Sequence, residues 1–228
     1  MSYEMLDFLK DLQSNGIRPD DAVYDFLSST DTKRVKALLA RLDRVRATDA
    51  LAIAAGRPAH HKYKTRKAVQ AEQSRLLGRL LEQIMITLLN GCSGLKVLNN
   101  IRTTTSEIDF LIQVQPTGSV IPILKAAQTH IIGEAKCYSS GFKSTWVNEL
   151  IGLMQLHSTS HSIIFTACPS KNLRSDHRHA IQLHGAHGYW VIPFGIRQVN
   201  EIAAGKNFLS ILSDQYVRVL NSSADLSI

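Results

Sequence analysis

Apolar residues recur at helical spacing in the N-terminal part of the chain. A leucine stripe ends at Asn15-Gly16, Pro19 opens a second helix, and a polar cluster that includes Asp31 offers an N-cap for a third. We expect this third helix to end near Arg46. The pattern therefore predicts a helical N-terminal appendage over residues 1–68.

A wider apolar stripe predicts a long core helix from about Val69 to Asn90. Beyond it, short apolar runs bounded by turn residues alternate with helical periods. In chain order we expect strands at Leu95–Asn99, Glu107–Val114 and His130–Cys137, an extended segment over 120–128, a helix at Thr145–His157, a strand at Ser162–Ala167, a helix at Ser175–His187, a strand at Tyr189–Phe194 and helical residues to Leu220. This order predicts an α/β fold over residues 69–228, with a mixed central β-sheet flanked by helices.

The composition is that of an ordinary globular protein. The chain has 228 residues, of which 44% are hydrophobic and 20% are charged. No apolar run approaches the roughly 20 residues needed to span a bilayer, so we expect no membrane partner. Three widely separated cysteines do not suggest a disulfide framework, which favours a reducing, cytoplasmic setting.

Positive charge is concentrated in one segment. The net charge is +7, and residues 31–67 alone carry eleven Lys and Arg residues against three Asp. This distribution favours a polyanionic partner, and DNA is preferred because no large apolar face accompanies the charge. The end of the segment lacks a hydrophobic period and is predicted to be a basic loop whose DNA contacts are Arg57, Lys62, Lys64, Arg66 and Lys67.

Three charged residues interrupt segments that otherwise have the pattern of buried strands. Asp109 lies in the predicted strand Glu107–Val114, while Glu134 and Lys136 lie in the next long strand. A charge on a core strand is costly to desolvate unless a partner compensates it. Mg²⁺ prefers carboxylate oxygens, and strand alternation puts Glu134 and Lys136 on one face. These residues therefore predict a divalent-metal site with an ammonium group beside it.

Two further side chains are candidates for the same site. Glu82 is an acid on the long apolar helix and is expected to supply another metal ligand. Gln155, near the end of the helix that follows the second acidic strand, is expected to contact the backbone or the attacking water. Glu107 is expected to face the other side of its strand and is excluded from the site.

The order Glu82, Asp109, Glu134-x-Lys136 and Gln155 resembles the PD-(D/E)XK, or restriction-endonuclease-like, nuclease superfamily. The nearest branch contains Mrr-like restriction enzymes and Holliday-junction resolvases, and the resemblance covers about residues 74–203. It implies that the carboxylates bind Mg²⁺, with Mn²⁺ as a substitute, and that the lysine assists phosphodiester hydrolysis. Two features depart from the family pattern: Ile108 replaces the usual Pro before the first acid, and the gap from Asp109 to Glu134 is long.

The expected function is that of a Mg²⁺-dependent DNA endonuclease in restriction or anti-phage defence. Junction resolution or DNA repair, an RNA-cleaving effector, and a non-catalytic DNA-binding protein that retains the fold are the alternatives. Duplex cleavage needs two active sites, so a homodimer is expected. Zinc binding by the clustered histidines, serine hydrolysis and ATP use are disfavoured because the corresponding motifs are incomplete or missing.

Overall fold

A mixed five-stranded sheet forms the centre of the protein. The computed structural model describes residues 3–54, 66–102, 107–137, 143–167 and 175–221. The strands lie side by side in chain order, and they are β1 (Leu95–Arg102), β2 (Glu107–Val114), β3 (His130–Lys136), β4 (His161–Thr166) and β5 (Trp190–Gly195). β1, β2 and β3 pair antiparallel, whereas β3, β4 and β5 pair parallel. The prediction of an α/β fold with a mixed sheet is confirmed.

Helices cover both faces of the sheet. They are α1 (Tyr3–Ser14), α2 (Pro19–Leu27), α3 (Thr32–Ala54), α4 (Arg66–Asn90), α5 (Pro122–Ala127), α6 (Ser144–Leu156), α7 (Ser175–Ala186), α8 (Ile196–Ala203) and α9 (Phe208–Leu220). On one face, α3, α4, α8 and α9 pack with side chains such as Phe110, Ile131 and Phe165. On the other face, α6 and α7 pack with Ile132 and Ile164.

The helix α3 belongs to the main core. Its residues Val35, Leu39 and Leu42 are buried in the same cluster as the apolar stripe of α4. A β-bridge between Ser28 and Cys92 brings the start of α3 beside the end of α4, so the two helices pack antiparallel. Burial of a shared apolar stripe is the main source of stability for such a helix pair.

The other ends of these two helices are less buried. In α4, no described side chain before Leu80 is fully buried, and in α3 Leu42 is the last fully buried residue among those whose side chains are described, although Val45 and Leu77 still pack against the core. We call residues 43–54 and 66–79 the arm. Arg46 in the arm donates a hydrogen bond to the carbonyl of Ala167, which directly follows β4. The arm therefore leaves the core at the sheet edge where β3 and β4 end.

Three predicted boundaries and one predicted element are wrong. Strand β1 continues to Arg102 instead of ending at Asn99. Helix α3 continues to Ala54 instead of ending near Arg46, because the alanine-rich residues that follow favour helix. Helix α4 begins at Arg66, so the predicted basic loop ends earlier. The segment 120–128, which was predicted to be extended, is instead mostly the helix α5, and a short 3₁₀ helix at Pro116–Val120 precedes it. Both helices start with Pro, because the fixed φ of proline suits a first helical turn.

Two glycines allow the 3₁₀ helix to approach the start of β1. A Cβ at Gly94 would lie 2.6 Å from the Cα of Gly118, and a Cβ at Gly118 would lie 2.5 Å from the carbonyl oxygen of Gly94. Any other residue would push the two backbones apart. Within the described part of the chain, no helix is long and apolar enough to cross a membrane.

Candidate active site at the strand fork

The strands β2 and β3 separate at one end of the sheet. Their paired residues extend to Phe110 and Gly133, beyond which β2 continues beside β1 while β3 continues beside β4 to Lys136. Phe110 covers the last pair, and a Cβ at Gly133 would come within 3.1 Å of the Cβ of Phe110. We call this point of separation the strand fork. It opens a space between two strands that would otherwise be filled by ladder hydrogen bonds.

Asp109 bridges the strand fork. Its Oδ2 accepts a hydrogen bond from the backbone N–H of Ala135 at 2.8 Å. Continuing the register of Phe110 and Gly133 would pair Ala135 with Ile108, so the carboxylate replaces the strand carbonyl that this amide would otherwise meet. A buried amide needs an acceptor, and a carboxylate is a strong one.

Glu134 and Lys136 form a partly buried ion pair on β3. The Nζ of Lys136 lies 2.6 Å from the Oε1 of Glu134, and their side chains are 20% and 13% exposed. Residues two apart on a strand share a face, as predicted from the sequence. The structure therefore brings Asp109, Glu134 and Lys136 together.

The electrostatics of the site are dominated by burial and by an excess of acids. Burial raises the pKa of the Glu134 carboxyl, and the negative charge of Asp109 raises it further, against the opposing effect of Lys136. Burial alone would lower the pKa of the Lys136 ammonium, but Glu134 and the nearby acids outweigh it, so that the net shift is upward. Lys136 is therefore charged at neutral pH, and Glu134, Asp109 and Glu149 all act on it.

Glu149 is a third acid at this site, and it was not among the predicted site residues. It lies exposed on α6, and its charge raises the pKa values of both Glu134 and Lys136. Its position could have been inferred from the order of the predicted strands and helices. A helix that connects two parallel strands runs antiparallel to them, so its first turns lie near the end of the strand that precedes it.

For the same reason, Gln155 lies away from the site. It is exposed near the C-terminal end of α6 and lines a shallow groove with Gln128 and Thr129, which precede β3. Glu134 and Lys136 lie at the other end of that strand. The expectation that Gln155 contacts the attacking water is therefore corrected, because α6 carries it to the opposite edge of the sheet.

Glu82 lies on α4, in the layer on the other face of the sheet from α6. It is partly buried beside Leu81 and Met85, which belong to the main core. Among the described residues, the acids that shift the pKa of Glu134 are Asp109 and Glu149, and Glu82 is not one of them. Its role as a metal ligand stays a prediction.

The predicted DNA contacts fall largely outside the described part of the chain. Arg57, Lys62 and Lys64 lie in the segment 55–65, which the structure does not describe. Arg66 and Lys67 are the first two residues of α4 and so belong to the arm.

Asp109 and Glu134 are two described carboxylates that could hold a metal ion at this site. Mg²⁺ commonly takes one or two carboxylates and keeps several waters. Two neighbouring carboxylates match this requirement, and the negative charge of Asp109 raises the pKa of Glu134. No group of three or more His, Cys, Asp or Glu residues in the described ranges could hold a metal ion, so the described ligands at this site are the pair Asp109 and Glu134.

Comparisons with protein-family models, with curated proteins and with solved structures found no match to this chain. The assignment of chemistry therefore depends on the side chains at the strand fork and on the resemblance of their order to the nuclease superfamily.

Proposed function

We propose that this protein is a Mg²⁺-dependent endonuclease that hydrolyses DNA phosphodiester bonds. The observation that carries the proposal is the meeting of Asp109 with the Glu134–Lys136 pair at the strand fork. A structural ion pair does not need an additional acid beside it, since the extra charge raises the cost of burial. A cluster of three acids around Lys136 instead favours a site for an added cation.

Each residue has a distinct role in this proposal. Asp109 and Glu134 hold the magnesium ion, with Glu82 as a further expected ligand. A bound divalent cation makes water more acidic and offsets the charge of the phosphate. The hydrogen bond from Ala135 fixes the Asp109 carboxylate in the absence of metal. Glu149, on the exposed side of the site, is positioned to orient water through its charge.

Lys136 acts as a positive charge and not as a base. An amine must be neutral to accept a proton, and without metal the raised pKa of Lys136 keeps it protonated at neutral pH. Its ammonium group can donate hydrogen bonds to a phosphate oxygen and stabilise charge that develops there.

The proposal is tested with purified protein and four substrates: supercoiled plasmid, linear duplex, branched DNA and RNA. Each is incubated with Mg²⁺, with Mn²⁺ or with EDTA. We expect DNA cleavage that requires metal and is lost in Glu134→Ala and in Lys136→Met. Cleavage that survives both substitutions would refute this site. Preferential RNA cleavage would leave the site in place and change the substrate.

The close Glu134–Lys136 pair also favours a second candidate, a DNA-binding protein that retains the fold without catalysis. In this case the pair is structural and the acids are compensated without metal. Such a protein would bind DNA in EDTA and cleave no substrate with any divalent cation. The Asp109→Asn variant would then behave like the wild type in every DNA assay.

A further inference from the structure

A positively charged stripe runs along the outer side of α3. Lys33, Lys36, Arg41 and Arg44 are all exposed, and we call these four residues the basic face. Lys33 and Arg44 are eleven positions apart, which brings them onto one line along a helix about 16 Å in length. None of the four forms an ion pair with a described residue.

The acids near the basic face are already engaged. Asp31 accepts a hydrogen bond from the backbone N–H of Arg34 at 3.0 Å and caps the helix. Asp43 is exposed and lies 3.9 Å from Arg46, with which it forms an ion pair. The basic face therefore presents positive charge that these two acids do not neutralise.

Small residues lie in the middle of the basic face. Ala37 and Ala40 are exposed and occupy the same line as Lys33 and Arg44, at positions four and seven residues after Lys33. Small side chains allow a sugar-phosphate backbone to come close to the helix, while the long basic side chains on either side can extend to its phosphates. The helix α3 has no aromatic residue on which an unpaired base could stack.

The basic face has a fixed position relative to the strand fork. Arg46, two residues after Arg44, donates to the carbonyl of Ala167, and the N–H of Ala167 donates to the carbonyl of Lys136 at 3.3 Å. Two hydrogen bonds thus connect α3 to the strand that carries the candidate catalytic pair. The burial of Leu39 and Leu42 holds the rest of the helix against the core.

We propose that the basic face of α3 binds the phosphate backbone of double-stranded DNA on the flank of the site, independently of sequence. The proposal rests on the proposed function for its choice of DNA. The charge, the small residues at the centre and the lack of stacking groups favour duplex over single strands. Arg41 and Arg44 would contact phosphates near the site, and Lys33 and Lys36 would contact phosphates farther along the duplex.

The test measures binding in EDTA, so that cleavage is not needed. A labelled DNA duplex of random sequence, its separated strand and an RNA duplex of the same sequence are titrated with wild-type protein and with Arg41→Gln/Arg44→Gln. The control is Lys96→Gln/Lys125→Gln, which removes two exposed bases from β1 and α5. Thermal unfolding of each variant checks that the fold is retained.

We expect the slope of log binding constant against log salt to fall in magnitude by about 1.8 for Arg41→Gln/Arg44→Gln, since each phosphate contact contributes about 0.9. The control double variant should change the slope much less. An unchanged slope, an equal loss in the control, or tighter binding of the single strand or of duplex RNA would overturn the proposal. If the wild type binds duplex in this way but cleaves nothing, the basic face stands and the nuclease proposal fails.

Discussion

The strongest test of the site uses folding stability, because three acids act on one lysine. Replacing Lys136 with Met removes a cation that interacts with Asp109, Glu134 and Glu149. Replacing Glu134 with Gln leaves Lys136 beside two acids that still compensate it. We therefore expect Lys136→Met to destabilise the protein more than Glu134→Gln.

The magnitude follows from the geometry of the pair. Two charges 2.6 Å apart attract by about 6 kcal/mol at an effective dielectric constant of 20. Desolvation of both ions offsets most of this, and breaking a buried pair costs about 3–5 kcal/mol. Because a fifth of the Lys136 side chain is exposed, we expect about 2–3 kcal/mol for Lys136→Met, or a fall in Tm of roughly 5–10 °C. For Glu134→Gln we expect about 1 kcal/mol or less.

Magnesium should restore the folding stability that Lys136→Met loses. A cation bound by Asp109 and Glu134 replaces the missing ammonium charge, and saturation at one hundred times the dissociation constant adds about 2.7 kcal/mol. The measurement is urea unfolding of Lys136→Met with Mg²⁺ and with EDTA. The control is Asp109→Asn/Lys136→Met, which lacks one ligand and should gain less. Equal losses in the two single variants, or no gain with Mg²⁺ in Lys136→Met, would refute the reasoning.

Other predictions test separate parts of the molecule. Burial lowers the pKa of His161 from 6.5 to about 4. The free energy of unfolding should therefore fall by about 3 kcal/mol as the pH drops from 6.5 to 4, because the unfolded chain binds a proton that the folded protein does not. Urea unfolding of His161→Gln should show a correspondingly smaller loss of stability over the same pH range. Gly94→Ala should destabilise the protein by about 2 kcal/mol or more, because the added Cβ meets the backbone of Gly118. Gly152→Ala, in open space on α6, should stabilise it by about 0.5–1 kcal/mol. A higher melting temperature for Gly94→Ala than for Gly152→Ala would contradict both expectations. Arg46→Ala should cost about 1.5–3 kcal/mol through the lost bond to a carbonyl, and Arg44→Ala, whose bond is exposed and within the helix, should cost under about 0.5 kcal/mol by the same assay.

Periodicity predicted the main elements because most of them have one buried face. The alternation that separates Ile131 from Ile132 onto two faces, and the wide stripe of α4, are strong local signals. The ends of α3 and α4 differ from the prediction because the apolar stripe that marks each helix weakens toward residues 46–54 and 66–69. Proline at the start of α5 indicated a helix, but the short segment was assigned as extended.

The candidate site was predictable only in part. Asp109, Glu134 and Lys136 were identifiable because each interrupts an apolar strand. Glu149 and Gln155 depend on the direction in which α6 crosses the sheet, and this requires the topology and not the local pattern. The strand fork itself arises from two pairings of different strands, so no single segment of the sequence encodes it.

The hydrogen bond between Ala135 and Asp109 provides a spectroscopic probe inside the site. The amide of Ala135 donates to a carboxylate that is a candidate metal ligand, not to a strand carbonyl. Its proton resonance and its exchange with solvent therefore report directly on the protonation and ligation of one side chain. A single labelled amide can thus follow ion binding in the intact protein, with no substrate and no substitution.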